Sequence, residues 1–199
     1  MTTPSGPGIP PARGGLLERF LDELEAPAPS PCGGTAAAIA AAMAAALVTM
    51  VARGSANWAD AARIASQARS LRSRLTTLGD DDAAAFGHVL VTMRDRAGTA
   101  EQRDFVLGEA LVQAAEVPLQ IAEAAADVAE LAALAAVEGA PQLRPDATTA
   151  AMLAEAGVRA ATHLVEINLA TVPGDRHSER AEILTVAAAE ARARALRSV

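Results

Sequence analysis

Several groups of residues in this chain have types and spacings that could do chemistry. Asp80, Asp81 and Asp82 follow Gly79, and carboxylates in such a position either cap a helix or supply an acid–base group. Cys32, Gly33, Gly34 and Thr35 form a turn ahead of a long alanine run. There, free backbone N–H groups and the helix dipole favour an anion, and glycine lets a ligand approach the backbone. The alternative for that turn is a close-packed helix entry with no ligand. Cys32 stands where thiols are often activated, but no His or Asp neighbours it in sequence as a nucleophile requires. Glu155, Arg159 and His163 recur at four-residue steps with Glu166 three residues on, which reads as the polar wall of a cleft or as an exposed ion-pair ladder. Asn168 lies in an apolar run, so its amide needs a partner on another helix or on a ligand. Glu116 precedes Pro118, where a helix kink frees a carbonyl and can aim a side chain into a cleft. Metal chemistry is not expected, because the three histidines, His88, His163 and His177, form no repeated Glu-x-x-His unit.

The elements that must position these groups are helical throughout. Leu16, Leu17, Phe20, Leu21 and Leu24 recur at helical spacing after a Pro/Gly-rich arm expected over residues 1–14. The prolines at 27, 29 and 31 exclude a helix before the alanine run. A second helix is expected from about Trp58 to Leu78, with Gly79 as its stop and the three aspartates as a fresh N-cap. Thr99-Ala100-Glu101-Gln102 has the capping-box pattern and opens the longest stretch, which Pro118 must kink or break. Asp146 is expected as the N-cap of a helix to about Leu169, and Pro173-Gly174-Asp175 precedes a final charged helix. The fold class is therefore all-α, a compact bundle of six or seven helices in one domain over residues 15–199.

Composition narrows the function classes. Aromatics are 2% of the chain, alanine dominates the apolar set, and the net charge is -7 with arginine as the sole basic residue besides histidine. A negative chain without a basic stripe or a stacking platform excludes nucleic acid as the expected partner. One cysteine and an N-terminal stretch lacking an apolar signal core point to the cytoplasm. Residues Thr35–Ala52 carry no charge over a length that raises the membrane question. Their alanine content and the lack of a Trp/Tyr belt favour a buried central helix, so no membrane partner is expected. Long alanine faces on a short chain leave apolar surface for another subunit, so a homodimer is expected.

Several segments, in order, resemble the formiminotetrahydrofolate cyclodeaminase and methenyltetrahydrofolate cyclohydrolase family. They are Phe20-Leu21-Asp22-Glu23-Leu24, Pro29-Ser30-Pro31-Cys32-Gly33-Gly34-Thr35, Asp82 with Ala85-Phe86, Ala115-Glu116-Val117-Pro118-Leu119, Asp146 with its alanine-rich helix, and Val165-Glu166-Ile167-Asn168-Leu169. The resemblance covers nearly everything from Leu16 onward. It implies an all-helical dimer that binds a folate in a cleft, with no metal and no cofactor beyond the tetrahydrofolate-type substrate. It also implies Asp82 as the proton-transfer group. Gly33, Gly34, Thr35, Cys32, Glu116, Asn168 and Asp146 are the implied ligand-binding residues, and His163 joins them as a ligand-binding candidate from its place on the Glu155–Arg159–His163 stripe. Cys32 replaces the loop's usual third glycine, Leu164 an asparagine, and Gly54-Ser55-Ala56-Asn57-Trp58 lacks the family's lysine and tyrosine. Three functions follow as expectations: a folate cyclodeaminase or cyclohydrolase; the same bundle repurposed for another cyclisation or ring opening, with an apolar cleft; and a non-catalytic helical partner or ligand-binding protein.

Overall fold

The computed structural model describes residues 14–26, 33–170 and 176–198. The arm expected over 1–14 lies outside these residues apart from Gly14, and Cys32 also lies outside them. Among the described residues there are six α-helices, one 3₁₀ turn and no strand. The helices are α1 (Gly14–Glu25), α2 (Gly33–Gly54), α3 (Ala61–Arg94), α4 (Ala100–Glu138), α5 (Arg144–Asn168) and α6 (Arg176–Leu196), with the 3₁₀ turn at Pro141–Leu143 ahead of α5.

Alanine is the best helix former and has no side-chain entropy to lose, which accounts for the long uncharged run of α2. α2 is long and apolar enough to cross a membrane by length and composition. In the bundle it packs against α3, α4 and α5. Gly79 of α3 sits beside Thr35 and Ala38 and Asp82 beside Gly34, while Gly157 and Leu164 of α5 sit beside Ala41 and Gly33, so α3 and α5 both run antiparallel to α2. α6 closes the far side against α4 and α5. The core is mostly alanine, with Ile64, Leu75, Ile121, Val48, Val128 and Val158 as its largest fully buried side chains. Small residues let backbones approach: a Cβ on Gly157 would stand 3.2 Å from both the Ala37 carbonyl and the Ala41 Cβ. Dispersion between closely spaced helices then replaces the bulky anchors that the sequence lacks.

Two local expectations are corrected. Gly79 and the aspartates do not divide two helices, because α3 runs unbroken from Ala61 to Arg94. Gly79 is a place of close approach, where the buried Thr35 hydroxyl donates to its carbonyl at 2.8 Å. Tertiary contact there overrides the local stop signal. Of the kink or break expected at Pro118, the break is excluded, because α4 runs through it. Asp146 is not an N-cap; α5 begins at Arg144 with Leu143 in the capping position, Pro145 near the start and Asp146 within the first turn. Proline tolerates that place because first-turn N–H groups have no helical acceptor. The Thr99–Gln102 capping box forms as expected, with the Gln102 N–H donating to Thr99 Oγ1 at 3.3 Å and the Thr99 N–H to Gln102 Oε1 at 2.9 Å.

Candidate active site

The N-terminus of α2, the middle of α3, the Pro118 turn of α4 and the last turn of α5 meet at one cleft of about 230 Å³. Its wall consists of Gly33, Asp82, Phe86, Ala114, Pro118, Leu164, Ile167 and Asn168. Most of these are partners four apart on a helix: Asp82 with Phe86, Ala114 with Pro118, and Leu164 with Asn168. Such pairs share a face, so three helices each present one face to the same space.

Asp82 is 5% exposed, whereas Asp80 and Asp81 are exposed. Its helix supplies the reason, since neighbours on a helix are rotated by about 100° and only one of three successive residues can face α2. The space its carboxyl fills is the space left by the missing side chain of Gly34. A Cβ at that glycine would overlap all three terminal atoms of the carboxyl. Glycine is therefore required at 34 by close approach, whereas among the described residues a Cβ at Gly33 would meet only the Leu164 methyls at 3.9 Å. Thr35 anchors the other side of the junction through its bond to the Gly79 carbonyl. It stabilises the α2–α3 contact and does not line the cleft.

Asn168 answers the question its position in an apolar run raises. Its Nδ2 donates to the Ala114 carbonyl at 3.1 Å. Ala114 lies four residues before Pro118, which has no N–H to close that helical turn. Asn168 thus supplies a donor where the helix cannot, and the amide stays at the cleft wall.

The remaining candidates are not brought to this cleft within the chain. Glu116 lies two residues from both Ala114 and Pro118 and so projects from the opposite side of α4. Its carboxylate stands 2.8 Å from Nε2 of His177, a buried residue near the start of α6. His163 is exposed and stands 3.9 Å from Glu166, both about two-thirds exposed, an arrangement worth little energy. Glu155 pairs with Arg159 at 3.9 Å and with Arg192 of α6 at 2.9 Å. The stripe on α5 is thus an ion-pair ladder tying α5 to α6 and not a cleft wall. Asp146 sits at the other end of α5, about 33 Å of helix from Asn168 at 1.5 Å per residue. Sequence reasoning missed Phe86, Ala114, Leu164 and Ile167 as wall residues. The signal was present, since each lies one helical turn from a residue already singled out or from Pro118. Among the described residues no group of three or more His, Cys, Asp or Glu could hold a metal ion.

A cleft built from the α2 entry, a buried aspartate on α3 and an asparagine on α5 matches the order of segments in a known family. The formiminotransferase-cyclodeaminase family model matches residues 16–183. The chain belongs to the formiminotransferase-cyclodeaminase family. Within that family, a methenyltetrahydrofolate cyclohydrolase of Methylorubrum extorquens is 36% identical over 162 residues, covering 76% of this chain and 78% of the relative. The formimidoyltransferase-cyclodeaminase of Rattus norvegicus is 33% identical over 174 residues, covering 82% of this chain and 32% of that longer protein. The solved formiminotetrahydrofolate cyclodeaminase of Thermotoga maritima superposes with a TM-score of 0.81 at 26% identity, covering 92% of this chain and 94% of that one. The fold is therefore that of a solved formiminotetrahydrofolate cyclodeaminase over most of the chain, and the cleft at Asp82 lies inside the residues that the family model matches.

Proposed function

We propose that this chain is a folate one-carbon enzyme acting on 5,10-methenyl- or 5-formiminotetrahydrofolate. The observation that carries the reading is the buried Asp82 carboxyl held against Gly34 at the wall of the cleft. The cyclohydrolase reaction is the better supported of the two, because the cyclohydrolase relative is 36% identical over 78% of its length, against 26% identity for the solved cyclodeaminase.

In that reaction water adds to the cationic bridge carbon, and the carbon–N5 bond then breaks. Asp82 takes one proton from the attacking water as the carbon–oxygen bond forms, and returns it to N5 as that bond breaks. The second water proton leaves to solvent as the formyl C=O forms, so the net products are the 10-formyl compound and one proton. A carboxylate beside the bridge also stabilises the positive charge. Every step moves protons and one C–N bond, so the reading calls for no metal or redox cofactor. The direct test is incubation with each substrate, following loss of the methenyl chromophore or release of ammonia. Turnover of either supports the reading, and no turnover of both contradicts it.

A second reading is favoured by Leu164, which makes the wall largely apolar where the family resemblance implies an asparagine. On that reading the same bundle opens or closes a different ring, and folates neither bind nor react while Asp82 stays buried.

The assembly proposed is a cytoplasmic homodimer. Ala36, Ile39, Ala40, Met43, Ala46, Leu47 and Met50 leave an uncharged face of α2 exposed or half-buried, and a second copy would remove that face from water. Sedimentation of a monomer alone at micromolar concentration would contradict it.

A further inference from the structure

We infer that Pro118 is a positioning residue for substrate binding: by withholding a backbone N–H from Ala114 it fixes the Asn168 amide so that Oδ1 serves as an acceptor for a substrate N–H. The inference rests on the folate reading above for its substrate and on the geometry alone for the pairing.

In an unbroken helix the Ala114 carbonyl accepts from the N–H four residues on. At residue 118 that N–H does not exist. The Asn168 Nδ2 stands 3.1 Å from this carbonyl. A carbonyl oxygen can only accept, so the amide has one possible orientation, with nitrogen toward Ala114. Oδ1 is then the atom free to accept from a ligand, and Ala114, Pro118 and Asn168 all line the same cleft as Asp82. The group this selects is a ring amide or amidine N–H, such as the edge of a pterin carries. A ligand offering only acceptors there could engage only the second Nδ2 hydrogen and would leave Oδ1 unsatisfied. Leu164 and Ile167 on the same helix face are apolar, so among the described residues of this wall Asn168 is the one side-chain amide that can read polarity.

The test is a double-mutant cycle on the full chain, with Pro118→Ala, Asn168→Ala and the double variant, read in KM and kcat for 5,10-methenyltetrahydrofolate and in Tm. Pro118→Ala restores a helical N–H and improves helix propensity, so the variant is expected to fold. It should raise KM roughly fivefold to tenfold, the size expected of one hydrogen bond, and leave kcat within about twofold. Asn168→Ala should do the same, and the double variant should be no worse than either alone. In Tm, Asn168→Ala should cost about 2–4 °C in the parent and almost nothing in the Pro118→Ala background, where the Ala114 carbonyl has its helical partner again. Additive effects on KM, or equal Tm losses in both backgrounds, would overturn the inference. Coupled Tm losses with no folate turnover by the parent would support the pairing and overturn the folate reading, so the two failures are told apart.

Discussion

Replacing Gly34 by alanine puts a methyl group where the Asp82 carboxyl already sits. The added Cβ overlaps the two oxygens and the carbon of that carboxyl together, so no rotation of the group about its own bond relieves the clash. To regain contact distance the carboxyl must retreat by about 1 Å, or α2 and α3 must separate by as much. Separating the helices would strain the buried Thr35–Gly79 bond, so the side chain gives way first. Overpacking of this kind costs about 1–3 kcal/mol, offset in part by the better helix propensity of alanine at about 1 kcal/mol. The fold should therefore survive with Tm lowered by at most about 8 °C. Activity should suffer far more, since a 1 Å misplacement of a reacting group can cost about 100-fold in rate. The assay is kcat/KM for 5,10-methenyltetrahydrofolate, run beside Gly87→Ala, whose Cβ meets nothing within 4 Å among the described residues and which lies outside the cleft wall. Gly87→Ala should stay within about twofold of the parent. Equal activity of parent and Gly34→Ala would refute the argument that this glycine exists to seat Asp82.

Two further substitutions probe the frame. At Gly79 a Cβ would stand 3.5 Å from the Thr35 methyl and 3.6 Å from the Ala38 Cβ, which is ordinary contact. Gly79→Ala should then raise stability by about 0.5–1 kcal/mol through helix propensity, seen as a Tm gain of about 2 °C; a loss would mean that the helices cannot accommodate the contact. Asp127 lies in a groove between α3 and α4 with Gln67, Leu71 and Glu130. Desolvation holds its carboxyl above the usual carboxylate range; Glu123 and Glu130 push the same way, and Arg74 and Arg180 oppose them. A raised folded-state value means that the folded chain binds more protons than the unfolded one just above the ordinary value, so this group lowers stability as pH rises through that window. Asp127→Asn should raise Tm at pH 7, with the gain shrinking as pH falls toward 4; a gain that grows on acidification would contradict the sign.

The helices were legible because their signals are local. The Leu16–Leu24 periodicity, the Thr99–Gln102 box and the glycine and proline breaks at 139, 141 and 173–174 concern residues close in sequence, and the structure places helix ends beside those that it describes. The continuity of α3 was not legible, because Gly79 and three aspartates look like a stop and a start unless the Thr35 hydroxyl from a helix 44 residues away is known to meet the Gly79 carbonyl. The site divided in the same way. Asp82, Gly33 and Asn168 meet because α3 and α5 both run antiparallel to α2. Helix direction and rotation, which the sequence does not state, also turned Glu116 toward His177 and left Asp146 at the far end of α5. The need of the Asn168 amide for a partner could be read from its apolar neighbours, while its partner depended on the proline of another helix.

The most direct test of the central claim is turnover of 5,10-methenyltetrahydrofolate by the parent chain and by Asp82→Asn, whose amide has the shape of the carboxyl but cannot take up the water proton. The account predicts measurable hydrolysis by the parent and a fall in kcat of about 10²–10⁴-fold in the variant, with folding and substrate binding retained. An Asp82→Asn protein that turns over the substrate at the parent's rate would contradict it.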